Sequence, residues 1–134
     1  MDWGQATTFA KWAGGRLPTG EEWTYAATSG GQSWEYPWGD EPATCDRAIM
    51  DDGGSGCGQG HTWPVCSKPA GHSRQGVCDL AGNVWEWADE REGASDRVYR
   101  GGGWYNPASL LRVTYRLRNT PSSRNSYLGF RLAR

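Results

Sequence analysis

From residue 97 to residue 134 the chain contains no Asp, Glu or Lys, and no cysteine follows Cys78. Over all 134 residues there are only two Phe, two Met and two His. No stretch approaches the ~20 consecutive apolar residues of a membrane-spanning helix, and no signal-peptide pattern opens the chain. The four cysteines include no C-x-x-C knuckle of the kind that structural zinc sites usually carry. Each absence removes a class of function. A histidine-rich metal centre, thiol chemistry in the C-terminal segment and a transmembrane anchor within this chain are all excluded.

What is present is equally uneven. Nine Trp, six Tyr and twenty Gly imply a core of large aromatic rings joined by many turns, not a bundle of long helices. A chain of this length supports one core and one domain, spanning 1–134. Of the 14 Lys/Arg, eight are arginines of the last 38 residues, so that segment carries +8. The remaining six face all 15 acids in residues 1–96, giving −9 there. Such asymmetry can mark a nucleic-acid surface. The tail arginines, however, interleave with strand-like apolar residues and form no basic run, so mutual neutralisation within the fold is the favoured reading, with no nucleic-acid partner. The start is abrupt, with Met1-Asp2-Trp3 leading almost directly into a helical pattern, which leaves room for an upstream leader or domain.

Cys45, Cys57, Cys66 and Cys78 are separated by 11, 8 and 11 residues within a loop-rich stretch. Three disulfide connectivities are open, and the symmetric gaps favour 45–57 with 66–78. Zinc is the competitor, because His61 and His72 lie among these cysteines. Disulfides would place the protein in an oxidising setting: extracellular, on a cell surface or on a virion.

Local signals divide the chain. Asp2 is an N-cap for a first helix with Trp3, Ala6, Phe9, Ala10 and Ala13 on one face, ended by Gly14-Gly15. Thr19 and Glu22 form a capping box for a second helix running to about Ala27, which buries Trp23 and Ala26 or Ala27. Residues 29–78 lose periodicity. Strand-like segments follow at Asn83–Trp87, Arg97–Gly101, Leu111–Leu117 and Leu128–Ala133. The expectation is an α+β domain with a small, mainly antiparallel sheet.

Several segments carry a family resemblance. Ala13-Gly14-Gly15-Arg16-Leu17-Pro18-Thr19 with Glu22-Trp23, Tyr36-Pro37-Trp38-Gly39 and Asp79 to Trp87 resemble the formylglycine-generating enzyme (sulfatase-modifying factor) superfamily. So do Arg100-Gly101-Gly102-Gly103-Trp104 and Gly129-Phe130-Arg131, in family order. The resemblance implies the C-type lectin fold: a twisted antiparallel sheet, two helices and extensive loops. Against the longer members the chain lacks N-terminal strands. The family reaction uses two C-terminal cysteines that bind copper, and alignment places those positions near Ala108 and Val113. Neither side chain can replace a thiolate. The related iron-dependent sulfoxide synthases need a His-rich site, for which two histidines are too few. The resemblance therefore implies a chain with no catalytic residues. It also implies a calcium site from the Asp79 and Glu86 side chains and the Gly82 and Val84 carbonyls, where Glu86 could alternatively pair with a buried arginine.

The tail is similar to the variable region of proteins diversified by retroelements. Arg97-Val98, Arg100-Gly101-Gly102, Trp104, Ala108, Arg112, Arg116, Pro121, Arg124 and Gly129 to Ala133 stand at that region's framework positions. In that family AAC codons become NNC, which never encodes Trp, Lys, Gln, Glu or Met. Tyr99, Tyr105, Asn106, Pro107, Leu110, Tyr115, Leu117, Asn119, Ser123, Asn125, Ser126 and Tyr127 all lie within the permitted set and are the candidate ligand-binding residues. Strand alternation sends Val113, Tyr115 and Leu117 to one face, with Thr114 and Arg116 on the other. The resemblance implies a non-enzymatic receptor-binding or display protein for a protein or glycan ligand. The alternative is an inactive or regulatory family module with a fixed interface.

Overall fold

A computed structural model describes residues 1–134. Two helices come first, α1 (Trp3–Trp12) and α2 (Gly20–Ala27). Both begin as the sequence predicts. The Asp2 carboxylate accepts the Gln5 N–H and the Gln5 side chain accepts the Asp2 N–H; Thr19 and Glu22 make the same reciprocal pair at α2. α1 buries Ala6 and Ala10, and α2 buries Trp23 and Ala27. Phe9 departs from expectation: its ring turns outward and packs beside Trp12 and Phe130.

Residues 28–84 contain no strand longer than an isolated bridge and one turn of 3-10 helix, Pro69–Gly71. Two disulfides, Cys45–Cys57 and Cys66–Cys78, staple this region, with Cα atoms 5.8 and 5.2 Å apart. These are the two sequential pairs. Each bridge closing such a loop contributes roughly 3 kcal/mol by restricting the unfolded chain. Gly82 is packed against the same region. Its φ is +80°, and a β-carbon there would stand 2.5 Å from the Ile49 carbonyl oxygen.

The four strands are β1 (Trp85–Glu92), β2 (Asp96–Arg100), β3 (Arg116–Asn119) and β4 (Leu128–Phe130), in the order β3-β2-β1-β4. β1–β2 and β2–β3 are antiparallel, whereas β1–β4 is parallel. The third strand starts later than the periodicity predicts. Ala108–Leu110 forms a 3-10 turn, and the chain reaches the sheet only at Arg116. Val113 consequently does not share a face with Tyr115 and Leu117. It is buried with Trp23, Ala27 and Leu80 in a separate core cluster.

Strand pairing lays Leu117, Tyr99, Trp87 and Phe130 side by side across all four strands. Pleating puts this row on one face. Trp85, Trp87, Tyr99 and Leu128 form the core there with Ala6, Ala10 and Leu17 from the α1 side. The row on the other face is Arg116, Arg100, Glu86 and Gly129. It packs toward α2, where Trp23 Nε1 donates to Glu86 at 2.7 Å.

Candidate functional site

The two faces divide the tail's labour. On the α2 face the arginines are bound to acids from earlier in the chain. Arg131 grips Glu86 with Nε and Nη2, both at 2.6 Å, and its Nη2 also donates to the Cys78 carbonyl. Arg100 and Arg116 share Glu90, and Arg116 also reaches Glu92. Elsewhere Arg112 pairs with Glu35, Arg118 with Asp96 and Arg124 with Asp2, while Arg97 lies over the Trp3 ring at 4.4 Å. The charge asymmetry of the sequence is thus largely spent inside the fold. The exposed pairs are each worth little. Glu86 is different: it is 4 % exposed, and losing its partner would strand a buried charge.

On the opposite face the aromatic residues gather. Trp85 and Trp87 meet the Tyr99 ring edge-on at 5.2 and 5.5 Å. Tyr115 lies 6.2 Å from Trp85, and Tyr105 lies 5.0 Å from Tyr127. Leu110, Tyr115, Leu117 and Tyr127 are partly buried against this platform. Burial raises the Tyr99 phenol above the usual tyrosine range, and the neighbouring phenols of Tyr127 and Tyr105 add to it. Burial followed by Tyr127 does the same for Tyr105. The neutral phenol is therefore kept as a hydrogen-bonding group across the physiological range.

Each predicted position now has a place. Leu110, Tyr115, Leu117 and Tyr127 pack on the core that contains Tyr99, itself 8 % exposed, and Tyr105 stands against Tyr127. Asn119, the partner of Arg97 across the β2–β3 edge, is half-buried close to Tyr99. Pro107, Asn125 and Ser126 are exposed on the adjoining loops. Ser123 belongs to a turn closed by Thr120, which docks on the start of α1 through the Trp3 N–H and the Pro121 carbonyl.

Asn106 is scaffold. At 6 % exposure, its Oδ1 accepts both the Trp85 indole N–H and the Gly103 N–H at 2.8 Å. It orients the platform and offers no side-chain surface to a ligand. Trp104, a framework position in the sequence, packs its ring on Tyr105 at 5.5 Å. The scaffold role of Asn106 had a signal in the sequence, because a tryptophan-rich core needs hydrogen-bond acceptors for its indoles.

The implied calcium donors do not fit the ion. Both Glu86 oxygens are held by Arg131, with Trp23 donating to one of them, and Asp79 Oδ2 accepts the Cys66 N–H at 2.8 Å. A carboxylate already clasped by a guanidinium is the alternative role anticipated for Glu86.

Tyr99, Tyr105, Leu110, Tyr115 and Tyr127 line no cavity, and Leu117 borders only a small cleft of about 240 Å³ with Glu92, Arg116 and Arg118. The two roomiest clefts lie elsewhere. One of about 730 Å³ is bordered by Thr19, Tyr25, Asp89 and Arg100, and one of about 750 Å³ lies over Gln5, Phe9 and Trp12. No helix is long and apolar enough to cross a membrane.

Comparison with known proteins gives the lineage. The bovine (Bos taurus) "Inactive C-alpha-formylglycine-generating enzyme 2" is 37% identical over 153 residues, covering 99% of this chain and 48% of its own. The formylglycine-generating enzyme of Streptomyces coelicolor is also 37% identical, covering 99% and 51%. Among solved structures, Treponema denticola variable protein 1 superposes with a TM-score of 0.71 and 30% identity. It covers 87% of this chain and 46% of its own. The chain spans about half the length of these relatives, and its fold is C-type lectin-like. The family model of the sulfatase-modifying factor enzyme 1-like domain matches residues 1–134 from end to end, and the chain belongs to that family.

Proposed function

We propose that this chain is a non-enzymatic ligand-binding module whose C-terminal residues form a diversifiable contact surface. One observation carries the reading. Leu110, Tyr115, Leu117 and Tyr127 pack on an aromatic platform, with Tyr105 set against Tyr127, while the arginines between them are tied to acids elsewhere in the fold. These half-buried side chains take no part in the scaffold's ion pairs, so replacing them leaves those pairs intact. Tyrosine suits such a surface, because it offers a large amphipathic area with few rotatable bonds to freeze. The patch is open and not a cleft, which favours a macromolecular partner, a protein or glycan on another cell, over a small molecule. Two disulfides accord with display outside the cell or on a virion.

The absence of activity rests on Ala108 and Val113, the places of the family's copper-binding cysteines. Ala108 opens the 3-10 turn, and Val113 is buried beside Trp23. The similarity to an inactive relative supports the same reading, and it equally accommodates a module with one fixed interface.

A library separates the two. Codons 105, 107, 110, 115, 117, 125, 126 and 127 are replaced by NNC in a yeast-displayed protein. It is sorted for protease resistance and then for binding to a panel of unrelated soluble proteins. The proposal expects most members to stay resistant and binders to emerge for some targets. Widespread loss of resistance would show these side chains to be core. A near-copy of the coding DNA for residues 97–134, with adenines at the variable codons and a reverse transcriptase nearby, would establish diversification in the genome.

A further inference from the structure

The loop from Cys66 to Cys78 contains a feature that the binding face does not use. The two sulfur atoms and a ring nitrogen of His72 all lie within 4.8 Å of one another. His72 Nε2 is buried and has no hydrogen-bond partner, the one side-chain atom of the structure in that condition. Leaving such a group unpaired costs about 1–3 kcal/mol, and native structures keep few of them.

The backbone around these residues is anchored independently of the disulfide. Gly71 is packed so closely on the Arg47 carbonyl that a β-carbon has no room. The His72 N–H donates to Pro69, the Arg74 N–H to the Ser29 hydroxyl and the Gln75 side chain to the Ser29 carbonyl. Cys66 is tied by its N–H to Asp79, and the Cys78 carbonyl is tied to Arg131. Cutting the sulfur–sulfur bond therefore leaves both cysteines and the imidazole facing one another.

We propose that Cys66, His72 and Cys78 form a redox-gated site for a soft divalent cation of the zinc type, closed in the disulfide form and open in the dithiol form. Two electrons from a dithiol reductant break the Sγ–Sγ bond, and the reductant leaves as its own disulfide. Each protein sulfur then carries a proton. Zn²⁺ displaces both protons, binds the two thiolates and takes the lone pair of the neutral imidazole. Three protein ligands leave one tetrahedral position open to water or an external donor. Cys66 is exposed, so the cation enters from solvent. The site is separate from the aromatic face and does not depend on the binding function proposed above.

Cobalt(II) is the probe, read by its sulfur-to-metal charge-transfer band and its tetrahedral d–d bands. The protein is reduced with a phosphine, checked for fold by circular dichroism and titrated. The same is done for His72→Ala, His61→Ala and the double variant Cys45→Ser/Cys57→Ser. The reduced wild type should bind one equivalent, displaced by Zn²⁺, and the oxidised protein none. The double variant should retain the site, as should His61→Ala. His72→Ala should weaken binding by about 10-fold or more, since losing even an outer-shell partner of a metal costs 10–100-fold. The proposal fails if folded reduced protein gives no thiolate band, or if His72→Ala binds as tightly as wild type. Unfolding of the reduced wild type also overturns it, because the loop must hold without its bridge. If the double variant alone unfolds, the comparison of His72→Ala with His61→Ala decides.

Discussion

Tyr99 and Tyr105 are six residues apart in one arginine-framed segment, yet they do different work. Tyr99 lies under two tryptophans at 8 % exposure, whereas Tyr105 leans on Tyr127 at the rim. Truncating Tyr99 to Ala should cost about 3 kcal/mol, toward the aromatic end of core deletions. Tyr105→Ala and Tyr127→Ala should each cost about 1 kcal/mol or less, while abolishing capture of any target selected on this face. Urea unfolding of the three variants, with binding to a selected target for the latter two, checks the contrast. Asn106 makes a sharper case. Removing its amide leaves the buried Trp85 and Gly103 N–H groups without an acceptor, so Asn106→Ala should lose about 1–3 kcal/mol. Asn106→Asp keeps the acceptor and should recover part of that loss, which chemical denaturation resolves.

At the scale of elements, the sheet is held by its charged row as much as by its aromatic one. Arg131 follows directly on β4 and clamps Glu86 in β1, so the parallel β1–β4 pair is cross-braced by a buried ion pair. Arg131→Ala should destabilise the fold by about 3–5 kcal/mol, because it strands the Glu86 carboxylate. The double variant Arg131→Met/Glu86→Leu should lose less, and a thermodynamic cycle on melting measures the difference. The helices respond instead to acid. Asp2 is held below the usual carboxylate range by the Gln5 N–H, and Glu22 by the Arg16 side chain and then the Thr19 N–H. Carboxyls depressed in the folded state add stability that is present above their unfolded pKa, roughly 4, and lost as pH falls through the folded values. NMR titration should show both groups protonating below that range. Glu22→Gln should flatten the acid limb of the stability curve. Each effect is small, since Glu22 is exposed and Asp2 is only half-buried.

For the molecule as a whole, the decisive fact is that +8 and −9 are folded against one another. A tail with eight arginines would bind polyanions if those charges faced outward together. With Arg100, Arg112, Arg116, Arg118, Arg124 and Arg131 paired to acids and Arg97 on a tryptophan, little net positive field remains. The folded protein should give no shift of duplex DNA at physiological salt, and any retention at low salt should vanish steeply as salt rises. A peptide of residues 97–134 alone, lacking the acids, should bind DNA readily. Equal binding by the two would mean the arginines are not scaffold.

Much of this was legible in the chain. The Asp2 N-cap, the Thr19–Glu22 capping box, the aromatic core and the family itself follow from local pattern, because caps and motifs depend on residues a few positions apart, and the favoured one of three disulfide pairings is the one formed. The missed features are those in which distant segments compete for the same space. Val113 and Tyr115 look like neighbours on a strand, yet the 3-10 turn at 108–110 delivers them to different cores. Asn106 looks like a variable surface position until Trp85, 21 residues away, donates to it. Glu86 carried two readings in the sequence, calcium ligand or partner of a buried arginine, and Arg131, 45 residues away, takes both of its oxygens. The sequence by itself determined the lineage, the helices and the residues available for contact. Only the tertiary structure decided which of them face outward. That choice depends on which buried donors and charges find partners, and strand pairing alone brings those partners together.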